Sequence, residues 1–299
     1  MRAEYREEPC RNALNRVRGM PFAWSLNPYM GCAHRCTFCY VRAFEARADR
    51  PSGDRYGASI RVKTNVAEVL RRELARRSWQ REAVAIGAAT DPYQPAEGLY
   101  RLTRACIEAF SEAESPFSII TRGPLVVRDV DVLTEAARRA EVSVSFSVPT
   151  LDLEIWRRTE PGTAPPRQRL RAVARLVEAG IDARVGIAPI LPGLSDRPEL
   201  LAEVVREARA AGATGIWANL LYLRPGTREH FLNALERDWP ELLPKYERLY
   251  GRGAYLPRRE TEPVRDRVRK LARSHGIRDR RRVRFVPASR AEQLQMTIM

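Results

Sequence analysis

Lysine, histidine and long apolar runs are scarce in this 299-residue chain. Only Lys63, Lys245 and Lys270 are lysines, so arginine supplies 49 of the 52 basic residues, and there are three histidines. No apolar stretch approaches the roughly 20 residues of a membrane-spanning helix, which excludes a transmembrane protein. The first residues also lack the apolar core of a signal peptide, so we expect a cytoplasmic protein.

Cysteine is scarce as well, and its distribution excludes a fold held together by disulfides. Of the five cysteines, Cys10 and Cys106 are isolated and the other three lie within eight residues of one another. A disulfide framework pairs its cysteines, whereas this distribution is typical of a reducing compartment. Cys106 follows Leu102 by four residues on one face of a predicted helix, so we expect it in the core.

The clustered cysteines are Cys32, Cys36 and Cys39, a C-x3-C-x2-C run between Asn27 and Tyr40. Three thiolates so close in sequence can bind one metal centre, and the spacing favours an iron–sulfur cluster. A cubane of four irons needs four ligands, so three protein ligands leave one iron open to a ligand that is not protein. An open coordination position distinguishes catalytic from structural metal sites. The run therefore predicts chemistry at the metal.

A structural zinc ion is the alternative, with His34 or a distant cysteine as the fourth ligand. Structural zinc sites usually combine two closely spaced Cys or His pairs, and the sequence has no second pair. Tyr40, directly after the third cysteine, has no role in a zinc site. The iron–sulfur interpretation is therefore favoured.

Strand-length apolar runs alternate with helical patterns along most of the chain. A parallel sheet follows, because each strand–helix step takes about 25 to 40 residues, as in a βαβ unit. Periodicity alone does not distinguish a doubly wound sheet from a sheet that curls toward a barrel. The six predicted strands are 21–27, 83–89, 117–121, 142–148, 183–188 and 215–222.

The sequence also predicts three parts of the chain and several local features. Residues 1–20 are expected to be irregular or partly helical, 21–224 to form the core, and 225–299 to be a helical extension with a basic tail. We expect Thr64 or Asn65 to cap one helix and Thr261 to cap the last long one, which should end at residue 276. One helix is predicted over 229–250.

The net charge of +15 is concentrated near the C-terminus, where residues 251–299 contain 14 basic and 5 acidic residues. Such a concentration is expected of a protein that binds a polyanion, so DNA or RNA is a candidate partner through this arginine-rich region. A solvated tail is the alternative explanation.

The pattern Cys-x3-Cys-x-Phe-Cys-Tyr, together with Thr90-Asp-Pro-Tyr-Gln-Pro-Ala-Glu97, resembles the radical S-adenosylmethionine (SAM) superfamily. Within it, the closest resemblance is to the spore photoproduct lyase-like branch, also described as DNA repair photolyase-like. The resemblance extends from about residue 28 to 257. It implies an α/β fold, a six-stranded partial TIM barrel of (β/α)6 type, with its site at the C-terminal strand ends.

The same resemblance implies two cofactors and a reaction. A [4Fe-4S] cluster bound by the three cysteines would have its open iron chelated by the amino and carboxylate groups of SAM. Reductive cleavage of SAM to methionine would give a 5′-deoxyadenosyl radical that abstracts hydrogen from a substrate. An electron donor such as flavodoxin or ferredoxin is then an implied partner.

Six residues are the expected SAM contacts. Tyr40 should lie near the adenine, Thr90 and Asp91 near the amino group, and Arg122 near the carboxylate, where the branch has a lysine. Ser145 and Ser147 lie on one side of the fourth strand by its period of two, and one of them matches a SAM-contacting serine. The structural alternatives are that Asp91 is a turn residue before proline and that the serines only fill space.

One departure from the branch affects the predicted reaction. Spore photoproduct lyase has a hydrogen-donating cysteine just before its Ser/Thr-Asp pair, whereas this chain has Ala88 and Ala89. Repair of thymine dimers is therefore not expected, and Tyr93 or Tyr222 is the candidate hydrogen donor. A non-catalytic zinc or iron–sulfur protein that binds nucleic acid is the alternative function.

Overall fold

The computed structural model describes residues 3–20 and 22–277. Its strands are β1 (Glu4–Glu8), β2 (Leu14–Arg16), β3 (Trp24–Leu26), β4 (Tyr29–Met30), β5 (Ser59–Lys63), β6 (Val84–Ile86), β7 (Phe117–Thr121), β8 (Val142–Ser147), β9 (Asp182–Ile190) and β10 (Gly215–Leu220). Its α-helices are α1 (Arg42–Arg47), α2 (Val66–Leu74), α3 (Pro95–Tyr100), α4 (Leu102–Glu112), α5 (Val130–Arg139), α6 (Leu153–Thr159), α7 (Pro166–Glu178), α8 (Pro198–Ala210), α9 (Arg228–Asp238), α10 (Leu243–Tyr250) and α11 (Arg258–Ser274).

The central sheet has the order β10-β9-β8-β7-β6-β3-β2. Its first six strands are parallel and correspond to the six predicted ones, and β2 pairs antiparallel with β3. The edge strands β2 and β10 do not pair with each other in this order, so the sheet stays open, as in a partial barrel. The predicted α/β fold is confirmed.

The alternation of residues along β8 shows why these segments form strands. Val142, Val144 and Phe146 are buried, whereas the intervening Ser143 and Ser145 are only half-buried. A period of two places these sets on opposite faces of the sheet. Parallel strands bring their C-terminal ends to one edge, where functional groups from different strands meet.

The N-terminal prediction was wrong, because residues 4–8 and 14–16 are strands. The first of them, β1, pairs with β5 in a separate three-stranded sheet, in which β4 is the other neighbour of β5. The short charged sequence of β1 carries no clear strand pattern, so only its tertiary partner reveals the strand. This small sheet fixes β4, which leads directly into the cysteine run.

The structure corrects two helix predictions. Residues 229–250 form α9 and α10, separated by a 3₁₀ turn at Pro240–Leu242, because proline cannot continue a helix from the residues before it. Thr261 lies inside α11, which begins at Arg258. Val268 of α11 is buried in the sheet core, as its predicted apolar stripe requires.

Asn65 occupies the position before α2 but makes no side-chain cap; its Oδ1 accepts from the Cys10 backbone N–H at 2.8 Å. Cys106 is fully buried in the core, as predicted. No helix within residues 3–20 and 22–277 is long and apolar enough to cross a membrane. The arginine-rich segment 280–284 lies outside the described residues.

Candidate functional site

The cysteine run forms a loop between β4 and α1. The residues that contact it come from the segments after α1, β6, β7, β8 and β10. Cys32 and Cys36 are buried, and Cys39 is half-buried. Cys32 lies in the field of Asp91, whereas Cys36 lies near Arg122. Cys32 and Cys36 thus lie near groups that follow two different strands, β6 and β7.

The segment after β6 holds the start of the loop. The hydroxyl of Thr90 donates to the Gly31 carbonyl at 2.6 Å, and the fully buried Gln94 donates to the same oxygen at 3.1 Å. Gln94 also donates to the Thr90 hydroxyl at 3.0 Å and accepts from the Ala33 N–H at 3.0 Å. Thr90 and Gln94 therefore position the chain on both sides of Cys32.

Three further contacts fix the middle and the end of the loop. The Gly162 N–H donates to the His34 carbonyl at 3.0 Å, and a Cβ at Gly162 would meet the Ala33 oxygen at 2.4 Å. The buried Thr227 hydroxyl donates to the Cys39 carbonyl at 3.1 Å. The Tyr56 hydroxyl lies 3.5 Å from the Cys39 sulfur.

Arg42 ties the loop to the segment that follows α1. Its guanidinium is almost fully buried and lies 4.5 Å from the centroid of the Tyr56 ring. Within the described residues its hydrogen bonds go to carbonyl oxygens, so it satisfies the backbone of two separate turns. The acceptors are Cys36 (3.2 Å), Ser52 (2.7 Å), Gly53 (2.7 Å) and Arg35 (3.2 Å).

Asp91 joins the ends of β6 and β7 to the loop. One carboxylate oxygen accepts from the Tyr93 N–H at 2.9 Å and the Thr121 hydroxyl at 2.7 Å. The other accepts from the Arg122 N–H at 2.7 Å and lies 3.2 Å from Nδ1 of His34. Burial alone would raise the pKa of Asp91, but these partners lower it to about 2.

Three hydrogen bonds and the nearby Nδ1 of His34 surround the Asp91 carboxylate. A direct contact with the amino group of SAM, as the sequence predicts, would require one of the partners to leave. The present arrangement instead makes Asp91 a group that positions the backbone of Arg122.

Arg122 lies between two acidic neighbours. Its Nε donates to Glu160 at 2.6 Å and a terminal nitrogen donates to the Ala188 carbonyl at 3.1 Å. Burial alone would lower the pKa of the guanidinium, but the Cys36 thiol and the Glu160 carboxylate outweigh it and raise the pKa. Arg122 therefore stays charged next to the second cysteine of the loop.

Glu160 is fully buried between Arg122 and Arg169. The Arg169 guanidinium donates to both Glu160 oxygens at 3.1 Å and to the Ser147 carbonyl at 2.8 Å. Burial would raise the pKa of Glu160, but the two guanidinium groups lower it. This buried Arg–Glu–Arg triad connects the ends of β7 and β8.

The remaining predicted contacts have partners within the protein. The Ser145 hydroxyl accepts from the Trp217 indole at 2.9 Å, and Ser147 is buried. The Tyr40 hydroxyl donates to the Ala88 carbonyl, and its ring contacts Tyr222. The structure thus gathers Tyr40, Thr90, Asp91 and Arg122 around the loop, whereas Ser145 binds Trp217 of β10, which reaches it across the intervening β9.

The protonation and the placement of the cysteine thiols bear on whether they can hold a cluster. All five cysteines are free, and burial raises the pKa of Cys36 to about 12 and that of Cys32 well above its usual value. Such thiols ionise when a metal replaces the proton, so binding would release protons. Among the described residues no three His, Cys, Asp or Glu side chains are placed to share a single metal ion. Each ligand of a cubane binds a different iron of one cluster, and Cys32 lies within electrostatic reach of both Cys36 and Cys39, as a shared cluster requires.

Several residues that hold the loop were missed by the sequence analysis. Glu160 carried a signal, because it precedes Pro161 and Gly162 in the segment that follows the fourth predicted strand. Arg42 carried none, because its acceptors are backbone oxygens of turns. The missed residues are Arg42, Tyr56, Gln94, Glu160, Arg169 and Thr227.

The chain resembles known proteins in its sequence. Residues 26–205 match the family model described as the radical SAM superfamily. An uncharacterized protein of Mycobacterium tuberculosis is 42% identical over 276 residues, which cover 91% of this chain and 81% of that protein. A radical SAM Nalpha-GlyT isomerase of Pseudomonas phage M6 is 29% identical over 168 residues, which cover 56% of this chain and 33% of that protein.

Among solved structures, a spore photoproduct lyase complexed with dinucleoside spore photoproduct is similar in fold. The TM-score is 0.68 at 15% sequence identity, over 91% of this chain and 79% of that one. At this identity the likeness concerns the fold.

Proposed function

The chain belongs to the radical SAM superfamily, and we propose that it binds a [4Fe-4S] cluster through Cys32, Cys36 and Cys39, with SAM at the remaining iron. When bound, these cofactors supply a 5′-deoxyadenosyl radical by reductive cleavage of SAM, and the radical takes a hydrogen atom from a substrate. The observation that carries the proposal is the three-cysteine loop, which residues that follow β6, β7 and β8 hold in place.

The residues around the loop bind and orient SAM in this proposal. Arg122 pairs with the SAM carboxylate, since its charge is fixed beside Cys36, and Glu160 orients it. The Thr90 oxygen donates to Gly31 and accepts from Gln94, which leaves one lone pair for the SAM amino group. Asp91 positions Arg122 and adds negative charge near that group.

Tyr40 and the two serines complete the proposed pocket. Tyr40 borders the adenine, because it directly follows the third cysteine and its hydroxyl is held by Ala88. Ser147 and Ser145 lie on β8, and we propose that they face the ribose or carboxylate side of SAM. A low-potential carrier such as flavodoxin or ferredoxin supplies the electron.

Nucleic acid is the proposed substrate class. The net charge of +15 supports a polyanionic partner, and a protein of similar fold is known in complex with a dinucleoside. Ala88 and Ala89 follow β6 where the resemblance implies a hydrogen-donating cysteine, so we do not propose photoproduct repair. The substrate is then a different site on DNA or RNA.

The cluster proposal is tested with anaerobically reconstituted protein. We expect about four irons and four sulfides per chain, an EPR signal that SAM alters, and 5′-deoxyadenosine after reduction. Cys36→Ala should abolish 5′-deoxyadenosine formation, whereas Cys10→Ala, which changes a cysteine outside the loop, should retain it. One zinc per chain without 5′-deoxyadenosine would instead support the non-catalytic alternative.

The substrate class is tested by deuterium tracing. Deuterated single-stranded DNA, duplex DNA and RNA are each supplied to the reduced holoenzyme, and deuterium is measured in 5′-deoxyadenosine. Transfer from one of them supports a nucleic-acid substrate. Formation of 5′-deoxyadenosine without transfer from any of the three would retain the radical chemistry and reject this substrate class.

A further inference from the structure

Three tyrosine rings connect the cysteine loop to the protein surface. Tyr40 and Tyr222 have ring centroids 5.8 Å apart at 32°, and Tyr222 stacks on Tyr255 at 5.3 Å and 12°. We call Tyr40, Tyr222 and Tyr255 the tyrosine ladder. It begins next to Cys39, passes the C-terminal end of β10, and ends just before α11.

Tyr255, the outermost ring of the tyrosine ladder, is both exposed and fixed in place. Tyr255 is 58% exposed although its ring stacks on that of Tyr222. A backbone hydrogen bond from Leu223 to the Ala254 carbonyl, at 2.8 Å, holds its segment beside β10. Arg224 donates to the Tyr255 hydroxyl at 2.8 Å. The ring is thus presented to solvent in a defined orientation.

Two arginines that form no salt bridge within the described residues flank the exposed rings. The Arg224 guanidinium lies 5.7 Å from the Tyr255 centroid, and that of Arg47 lies 5.5 Å from the centroid of Phe44. Phe44 is 38% exposed and packs edge-on against Tyr40 at 5.8 Å. Within residues 3–20 and 22–277, neither of the two arginines forms a salt bridge.

Several exposed arginines of the chain are instead neutralised by acidic neighbours. Arg71, Arg139 and Arg167 each form salt bridges with glutamates on the surface. A guanidinium without an acidic partner, held beside an exposed ring, offers its charge to a ligand. Flat rings with adjacent cations are the elements that bind unpaired bases and their phosphates.

We propose that the outer face of Tyr255 is a stacking site for an unpaired base of single-stranded nucleic acid, with Arg224 at the adjoining phosphate. A duplex hides its base faces, so it would not stack there. The neighbouring nucleotide is then directed along the tyrosine ladder toward the cysteine loop. This inference rests on the proposed function and assigns its substrate a binding site.

The stacking within the tyrosine ladder favours the binding of a further ring. Rings that already stack lose little conformational freedom when a further ring is added, so binding costs less entropy. Tyr255 is accordingly a substrate-positioning residue, since the reacting atoms lie at the other end of the ladder.

Binding of a fluorescein-labelled single-stranded DNA of about twelve nucleotides to the reconstituted full-length holoenzyme tests the proposal. Tyr255→Ala should weaken binding at least about fivefold, because loss of one base–aromatic stack costs about 1–3 kcal/mol. Tyr255→Phe keeps the ring and should bind within about twofold of the wild type. Leu99→Ala removes another exposed apolar side chain, 68% exposed on α3, and should have no effect.

Arg224→Ala provides a second readout. The slope of log affinity against log salt should decrease by about 0.7, the value for one phosphate contact on a single strand. Arg206→Ala, an exposed arginine on α8, serves as the charge-matched control and should alter the slope less.

Wild-type affinity in Tyr255→Ala would overturn the proposal, as would equal losses in Tyr255→Ala and Leu99→Ala. Tighter binding of the matching duplex than of the single strand would also overturn it. Formation of 5′-deoxyadenosine without nucleic acid is measured separately. A failure of the radical chemistry is therefore distinguishable from a failure of the stacking site.

Discussion

Arg42 and Arg269 show two uses of the same residue type. Arg42 is buried beside the cysteine loop and donates to carbonyl oxygens of residues as far apart as 35 and 53. Arg269 is half-exposed on α11 and pairs with Glu262 and Asp266 of the same helix. The buried arginine joins separate segments of the chain, whereas the exposed one contacts only side chains of its own helix.

The difference follows from the surroundings of the charges. Water screens an exposed ion pair and competes for its hydrogen bonds, so such pairs contribute about 0–1 kcal/mol. A buried guanidinium has no water to replace a lost partner, and removal of either side leaves an uncompensated polar group. Buried arginines around the loop should therefore matter far more than the more numerous surface ones.

The largest expected effect is that of Glu160→Gln. The substitution leaves Arg122 and Arg169 facing a neutral amide, so the free energy of unfolding should fall by about 3–5 kcal/mol. Urea denaturation measures the change, with Glu135→Gln on the exposed face of α5 as the matched control. Equal losses in the two variants would contradict the distinction between buried and exposed pairs.

Arg42→Met should have the next largest effect, a loss of about 2–4 kcal/mol. The methionine fills part of the space but leaves the carbonyls of Cys36, Ser52 and Gly53 without their donor. We also expect a lower iron content after reconstitution, because the loop backbone is no longer held. Wild-type stability together with full iron content would show that the loop is fixed by its other contacts alone.

The charge of Arg42 also affects His230 of α9, whose pKa is lowered to about 4 by burial and then by Arg42. Below the ordinary pKa of 6.5 the unfolded state takes up this proton first, so stability should fall as the pH drops from about 6.5 to 4. The expected loss is about 1–3 kcal/mol. Urea midpoints measured across this pH range should show a shallower decline in His230→Gln than in the wild type. The same decline in both would assign the pH dependence to other groups.

Arg269→Ala should have the smallest effect, within about 0.5 kcal/mol of the wild type. Its partners Glu262 and Asp266 are themselves partly exposed and regain water when the guanidinium is removed. Thermal unfolding measures the change. A loss as large as that of Arg42→Met would mean that the ion pairs of α11 help to hold the helix against the sheet.

The strand predictions succeeded where a local pattern coincided with burial. The continuous apolar run in β6 indicated a strand that is buried on both faces of the sheet. The alternation in β8 indicated a strand with one more deeply buried face. The prediction failed for β1, a charged edge strand whose only evidence is its pairing with β5. It also failed at Pro240, where a continuous helical periodicity concealed a break.

For the site, the sequence predicted which residues lie near the cysteine loop but not which partners they bind. Asp91, Thr90 and Arg122 were identified because they end strands, and the structure places all three against the cysteine loop. Their present partners were not predictable: Thr90 binds the loop backbone, and Arg122 binds Glu160. A residue type at a strand end indicates the region but not which partner it meets.

The sequence by itself determined the spacing of the three cysteines and the alternation of strands and helices, because both are local properties that neighbouring residues impose. Only the tertiary structure decided what holds the loop: Gln94 reaches Gly31 across 63 residues and Thr227 reaches Cys39 across 188. Such contacts depend on where the open sheet brings its strand ends together. No local pattern encodes that meeting, since the donors and acceptors become neighbours only when the chain has folded.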